Sequence, residues 1–424
     1  MRATPTAWHD DAMIDSPSDA NARTRADSLL AAARENLDDT VAIRRRLHRR
    51  PEIGLQLPET QTVVADALRK LGLEPRLGGT TTSVVATIDG DRPGPTILLR
   101  ADMDGLPLTE TTGLDFSSEL DGAMHACGHD THMAMLLGAT RLLTERRAAM
   151  AGRVLLMFQP GEEGFHGARF MLEEGLLEDG PHGVAAVGRA FAIHISTKYP
   201  SGTIHMRAGA LLASADRIEA TVHGRGGHAS TPHLALDPMP TAASLVLALQ
   251  TALTREIDIF EPVVVTVTRI SGGTTNNIIP ASVAIEGTIR AVSPAGRRAA
   301  HDLVRRVTAG VAATYGTTID LEIVPGYPVT MCDPDVVADV RSVAGELIGE
   351  AATIDLVDPI MGAEDFAYVL EAVPGMMAFL GARPDGEDPA TAPMNHSDRV
   401  VFDESAMAVG VALYAAVALD ALSG

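Results

Sequence analysis

The sequence predicts an α/β protein: a largely parallel central sheet with a smaller unit inserted into it. Three observations carry that expectation. Up to residue 213, apolar strand-like runs alternate with helical patterns, as they do in sheets covered by helices. From 214 to 325 the strands alternate apolar and polar residues, in the order β-α-β-β-α-β of a split βαβ motif. From 326 to 424 helical patterns return, so the chain re-enters the first unit. The expected organisation is a disordered tail over 1–25, a large domain from 26–213 and 326–424, and an inserted domain over 214–325. A chain of 424 residues is long enough for that plan.

The elements follow in order. "VAIRRRLHRRPEI" reads as the end of a helix stopped by Pro51, and "ETQTVVADALRKLGLE" as a second helix closed by Gly72. "SVVATID" and "PTILLRADMD" read as strands, the second apolar throughout, as a strand buried on both faces should be. "HDTHMAMLLGATRLLTERR" is helical from about 129, "GRVLLMFQP" is another buried strand, "GARFMLEEG" a helix and "AAVGRAFAIHIS" a strand. In the inserted unit, "ADRIEATVHG", "PVVVTVTRISGG", "ASVAIEGTIRA" and "TIDLEIVPG" are the strands. "PMPTAASLVLALQTALTRE" and "PAGRRAAHDLVRRVTAGVAATYG" are its helices. Further helices are expected near 334–350, 364–372 and 403–422.

Composition narrows the class. The formal net charge is −21, which repels phosphate backbones and anionic lipid, so neither nucleic acid nor a membrane is an expected partner. Two cysteines, Cys127 and Cys332, make no disulfide framework, and a cytoplasmic enzyme is the expectation. The polar N-terminus lacks the apolar core of a signal peptide. "AMAVGVALYAAVAL" is short of the ~20 residues of a spanning helix and reads as a buried C-terminal helix.

Chemistry-bearing residues fall just past strand ends, where α/β sheets keep their sites. They are Asp102 and Asp104 in "RADMDGLP", the run "HACGHDTH", Glu162 and Glu163 in "FQPGEEG", His194 in "AIHIS", and His396 in "NHSDRVVFDE". A thiol, imidazoles and carboxylates together suit zinc- or manganese-like metals. Adjacent glutamates suit a division of labour, one binding metal and the other moving a proton. Singly, each has a plainer reading: a solvated Glu-Glu turn, a core histidine at 194, an inert buried thiol at 127, a helix cap at "DMD".

Taken in order, the motifs resemble the dinuclear-metal N-acyl-amino-acid amidohydrolases, a group spanning hippurate hydrolases, aminoacylases and auxin-conjugate hydrolases within the aminoacylase–metallocarboxypeptidase clan. The matching segments are "IRRRLHRRPEI", "LLRADMDGLP", "MHACGHDTHMAMLLGA", "VLLMFQPGEEG", "GRGGHASTPH", "NIIP", "EGTIRA", "MGAEDFAYVL" and "NHSDRVVFDE", from about 42 to 420. The resemblance implies a metal-dependent exopeptidase-like catalytic domain, with the inserted domain serving as lid and dimerisation unit. It also implies two divalent ions, whether zinc, manganese, cobalt or nickel.

By the same resemblance Cys127 bridges the ions as a thiolate, with Glu163 and His396 on one and His129 and His194 on the other. Glu162 is the general base, Asp104 orients the site, and His228 from a partner subunit polarises the scissile carbonyl. Asn277 and Arg290 hold the substrate's carboxylate or carbonyl, while Asp102 takes no assigned role and His125 and His132 are bystanders. Gly161 stands where relatives usually have alanine, which implies a slightly looser turn. The implied reaction is hydrolysis of an N-acyl-L-amino acid by a homodimer. Dipeptides, carbamoyl amino acids or acyl-diaminopimelates are alternative substrates. A non-catalytic binding module and a cysteine hydrolase using Cys127 are alternatives of other classes.

Overall fold

A computed structural model of the chain describes residues 17–178 and 186–423. The first helices are α1 (Pro17–Glu35), α2 (Leu37–His48) and α3 (Pro58–Lys70). Next come β1 (Arg76–Leu77), β2 (Val84–Asp89), β3 (Arg92–Asp102), α4 (His129–Thr144), β4 (Ala151–Gln159), α5 (Gly167–Glu173), β5 (Val187–Pro200), β6 (Ile204–Met206) and β7 (Gly209–Leu212). The middle of the chain forms β8 (Asp216–His223), β9 (Gly227–His228), α6 (Pro238–Glu256), β10 (Val263–Ser271), β11 (Ile278–Ile279), β12 (Ser282–Ala291), α7 (Pro294–Tyr315) and β13 (Thr318–Val324). The remainder is β14 (Thr330–Cys332), α8 (Pro334–Ile348), β15 (Thr353–Asp355), α9 (Ala367–Ala372), β16 (Gly375–Arg383) and α10 (Met407–Ala421).

An eight-stranded sheet runs β1-β2-β4-β3-β5-β16-β6-β15. Its centre, β4-β3-β5-β16, is parallel, and antiparallel pairs lie toward the edges. Leu98 therefore stands between Leu155 and Ala190, all three buried, which is why "TILLRAD" reads as one apolar run. α10 is buried from Met407 to Leu419 and packs on α4, α1 and α8. The stretch Glu404–Ala421 is long and apolar enough to cross a membrane, yet 78% of it is buried inside the protein. A core helix needs that composition, because it has no polar face to show.

The expected tail differs in extent. Residues 1–16 lie outside the described residues, and from Pro17 the chain is already helical. Ala26, Leu29, Leu30 and Ala33 recur at helical spacing and are buried against α10 and α8. That tertiary contact outweighs the polar composition which suggests disorder.

The residues between 216 and 324 form a separate antiparallel sheet, β10-β12-β8-β13, with α6 and α7 on one face. It has a core of its own, in which Ile218, Ala220 and Val222 alternate inward from β8 against Leu245, Leu249 and Leu303. The opposite face is polar and carries Arg217, Thr288 and Arg290. Helices α6, α7 and α8 all begin with an Asp-Pro or Ser-Pro pair. Asp237, Ser293 and Asp333 cap them by accepting backbone N–H bonds, with proline at the first helical position.

Candidate metal centre

The site is assembled at the carboxyl ends of the parallel strands. β3 runs out at Asp102, two residues before Asp104, and β4 ends at Gln159 just before the Glu162–Glu163 turn. His194 lies in the outer half of β5, and the loop after β16 brings in His396. α4 starts at His129, directly after Gly128, whose φ of +93° only glycine adopts freely. A Cβ at Gly128 would also stand 2.4 Å from Ile195 Cγ2, so the "CGH" turn fits against β5 only without a side chain. His396 has a φ of +70°, one of two non-glycine residues in that region among those described. Such strain tends to gather at functional positions. Gly161 has φ +69°, and a Cβ there would meet Leu55 Cδ2 at 2.5 Å. Glycine at 161 therefore suits a left-handed turn packed on Leu55, rather than loosening the turn as expected.

Five expected ligands converge. Cys127 Sγ lies 3.4 Å from His194 Nε2 and 3.3 Å from His396 Nε2. His396 Nε2 is also 3.2 Å from Glu163 Oε1. The donor atoms form two compact groups, Cys127–His129–His194 and Cys127–Glu163–His396, each within 4.8 Å and sharing the sulfur. His194 Nδ1 donates to its neighbour Ile195's carbonyl at 2.8 Å, which leaves Nε2 as the lone-pair nitrogen facing Cys127. Both ring nitrogens of the buried His129 lack a close hydrogen-bond partner among the described residues, the nearest carboxylate oxygens, on Asp102 and Asp104, standing 3.5 Å away. Buried polar atoms are rarely left so, and a divalent cation would satisfy them.

The charge balance points the same way. Asp102, Asp104, Glu162 and Glu163 crowd the site, and the nearest permanent cation is the buried Arg100, 2.6 Å from Asp102. Burial, reinforced by Glu163 and Glu162, pushes the Cys127 thiol well above its ordinary value. The expected thiolate therefore depends on the cations that the resemblance implies. The protein's own groups hold a thiol, because carboxylates outnumber cations around it; a metal cation is what would make it a thiolate. Burial, then the nearby Glu364 and Glu163 charges, raises Glu162 well above the carboxylate range. For Glu163 burial acts upward, but the His396 hydrogen bond and the His129 charge outweigh it, and its value is lowered.

Asp104 accepts from the backbone N–H of Glu162 at 2.9 Å and of Glu163 at 3.0 Å, so it fixes the turn carrying both glutamates. Asp102 receives Arg100 Nη1 and His132 Nδ1, each at 2.6 Å, while His132 Nε2 accepts from Ile195 N at 2.8 Å. His132 thus props β5 against β3, and its nitrogens are both in use. His125 is buried with neither nitrogen partnered among the described residues, and burial lowers it to about 3.

A cavity of about 980 Å³ opens between these strand ends and the polar face of the smaller sheet. Cys127, Glu162, Glu163, His194 and His396 line it from one side, and the half-buried Arg290 from the other. His228 and Asn277 are not brought there. They lie exposed and close together on the β9–β11 ribbon, where Ala229 N donates to the Asn277 carbonyl at 3.1 Å. Sequence reasoning missed several residues at the site. Glu364 and Asp365 form a buried acidic group with Glu162, His166 has φ +59°, and Tyr327 touches the glutamate turn. The "AED" of "MGAEDF" was a visible signal for the first pair; nothing in the sequence marks the other two.

Residues 98–420 match the peptidase family M20/M25/M40. The chain is 39% identical to "Thermostable carboxypeptidase 2" of Saccharolobus solfataricus over 386 residues, covering 90% of this chain and 95% of that protein. It is 36% identical to "N-acetylcysteine deacetylase" of Bacillus subtilis, covering 90% and 96%. A crystal structure of a Bacillus subtilis dinuclear metal-binding peptidase superposes with a TM-score of 0.78 at 33% identity, covering 91% of this chain and 98% of that one.

Proposed function

The chain belongs to peptidase family M20/M25/M40, and from that premise we propose that it hydrolyses the amide bond of N-acyl-L-amino acids, releasing a carboxylic acid and a free amino acid. The observation that carries this reading is the pair of donor groups sharing Cys127, with Glu162 beside them. Cys127, His129 and His194 would hold one divalent ion, and Cys127, Glu163 and His396 the other. When bound, such ions supply Lewis acidity and a water that loses its proton near neutral pH; zinc or manganese suits the mixed sulfur, nitrogen and oxygen donors.

The chain's own residues do the rest. Glu162 Oε2, 4.0 Å from His129 Nε2, takes a proton from the attacking water and returns it to the departing amine. Its raised affinity for protons suits the second half of that cycle. Asp104 keeps the Glu162 turn in place. The Arg290 guanidinium forks the substrate carboxylate, and Asn277, outside the cavity on the same ribbon as His228, would add a polar contact only from a second copy. The acyl group meets the apolar wall of Leu212, Ile360 and Phe379. His228 is exposed on a ribbon apart from the cavity, which supports its delivery from a second copy to polarise the carbonyl in a homodimer formed through the inserted 214–325 domain. The two cysteines are free and buried, which fits a reducing, cytoplasmic setting.

Similarity to a protein named a carboxypeptidase favours a second reading, a peptide in place of the acyl amino acid. The test is a mass-spectrometric screen of N-acyl amino acids and dipeptides with wild type and Glu162→Gln. Acyl amino acids should be consumed by wild type and spared by the variant. Turnover that is equal in both, or that survives full removal of metal by a chelator, overturns the proposal.

A further inference from the structure

The chain leaves the larger unit through residues 213–215 and returns through 324–328, "VPGYP". These two crossings are tied together. Ala215 N donates to the Tyr327 carbonyl at 3.0 Å, and Gly326 N donates to Asp216 Oδ1 at 3.0 Å. A Cβ on Gly326 would stand 1.9 Å from the Ala215 carbonyl, so only glycine lets the strands approach this closely. Asp216 in turn holds Arg297 Nε at 2.9 Å and His301 Nε2 at 2.7 Å, both on α7. The crossing is thus one block with the smaller unit.

From that block one hydroxyl reaches the catalytic turn. Tyr327, only 8% exposed, accepts from Gly164 N at 2.7 Å and donates to the Glu162 carbonyl. The turn it grips lies between Gly161 at φ +69° and Gly164 at φ +88°; its own backbone bonds are Gly164 N to the Glu162 carbonyl at 2.7 Å and Gly167 N to the Gly161 carbonyl at 3.1 Å, so the Gly164 N–H is shared between that carbonyl and the Tyr327 hydroxyl. Asp104 holds its two glutamate amides from the side of the larger unit. The turn is therefore suspended between the two units.

We infer that Tyr327 is a positioning residue coupling the hinge of the 214–325 unit to the turn that carries Glu162 and Glu163. When the hinge block shifts, the hydroxyl moves with it and its two hydrogen bonds carry the turn, so the placement of Glu162 depends on the attitude of the smaller unit. The inference needs the proposed amide hydrolysis only for its activity readout.

Tyr327→Phe removes the hydroxyl and keeps the ring, which packs edge-on to His166 at 4.9 Å. In the full-length protein as purified, without substrate, amide exchange at Gly164 should rise severalfold, because the bond to the Tyr327 hydroxyl is lost while that to the Glu162 carbonyl stays, with the Glu162 and Glu163 amides unchanged. With an N-acetyl amino acid, kcat should fall roughly tenfold and KM stay within about twofold, as expected for a misplaced proton carrier. Tyr368→Phe is the control, because its hydroxyl reaches the same hinge at the Gly326 carbonyl (3.3 Å) and His166 (2.9 Å) but not the turn. That variant should keep wild-type kcat. Unchanged exchange in Tyr327→Phe, or an equal loss of kcat in Tyr368→Phe, overturns the inference. If wild type cleaves no acyl amino acid, the proposed function fails, and the exchange measurement still decides the coupling.

Discussion

Replacing Asp104 by asparagine isolates what one carboxylate does for the site. The residue is 1% exposed, and its two oxygens accept from the backbone N–H groups of Glu162 and Glu163 at 2.9 and 3.0 Å. Asparagine has the same shape but offers one oxygen and one NH2. Whichever way it turns, a donor faces a donor, and one buried amide is orphaned. A hydrogen bond to a charged group is worth about 1.5–3 kcal/mol, and the orphaned N–H adds its own desolvation cost. The variant should therefore melt a few degrees lower. The larger effect is positional, since a turn that can rotate no longer holds Glu162 and Glu163 in fixed places. Loss of a residue that orients metal ligands typically costs about 10–100-fold in activity or metal affinity. We expect kcat for an N-acyl amino acid to fall within that range, with KM changed by less than about threefold. An Asp104→Asn variant with wild-type kcat, metal content and melting temperature would refute the reasoning and leave Tyr327 as the main restraint on the turn.

Cys127→Ser should lose bound metal along with activity in elemental analysis, because both donor groups share that sulfur. Full metal content with no turnover would instead favour a nucleophilic cysteine. Saturating metal at about 100 times its Kd should stabilise the metal-free protein by about 2.7 kcal/mol, read as a rise in melting temperature; no shift would mean the donors bind no ion. At His48, burial acts downward, but Asp130 at 2.8 Å and Glu110 at 3.2 Å outweigh it and raise the group to about 9 from 6.5. A raised value means stability fully present below pH 6.5 and lost as pH climbs through about 9, at most about 3 kcal/mol. In urea unfolding, the gap between wild type and His48→Gln should narrow from pH 6 to 9.5; a constant gap refutes the assignment. Arg290→Lys should raise KM roughly tenfold with kcat nearly unchanged, since a point charge replaces a bidentate fork; an equal fall in kcat would place Arg290 in the chemistry instead.

The order of elements was legible because each carries a local cause. "TILLRAD" is apolar throughout because β3 is flanked on both sides, and β8 alternates because only one face of its sheet is covered. The candidate donor positions stood out because most of them follow strand ends in sequence. What was not legible depends on contacts distant in sequence. Tyr327 reaches Gly164 across 163 positions, and Arg100 reaches Glu364 across 264. The αL backbone at His166 and His396 is set by the loops around them, since it is uncommon for any residue with a Cβ, though histidine tolerates it better than most. The electrostatic surroundings of Cys127 were illegible for a related reason. A helix start beside it was visible in "CGHD", but the carboxylates of Glu162, Glu163 and Asp102 arrive from other strands.

Those carboxylates explain why the site is built as it is. Arg100 lies beneath it with Nη1 on Asp102 and Nη2 on Glu364, and its Nε takes the Gln159 side-chain oxygen at 2.9 Å. It answers only part of the buried negative charge; Glu162 and Glu163 face the cavity with Cys127, beyond its hydrogen bonds. Burying uncompensated charge costs several kcal/mol per group, so without metal Glu162 and Cys127 both hold a proton more tightly than usual. A divalent cation would displace the thiol proton and take a lone pair from His129, whose nitrogens lack a close partner among the described residues. Glu162 differs from the ligands in its surroundings, packed toward the acidic pair Glu364 and Asp365. A carboxylate beside other carboxylates keeps a high affinity for protons even where cations are near. In the proposed mechanism, two adjacent glutamates with the same side chain would thereby be separated into a metal donor and a proton carrier by what each one faces.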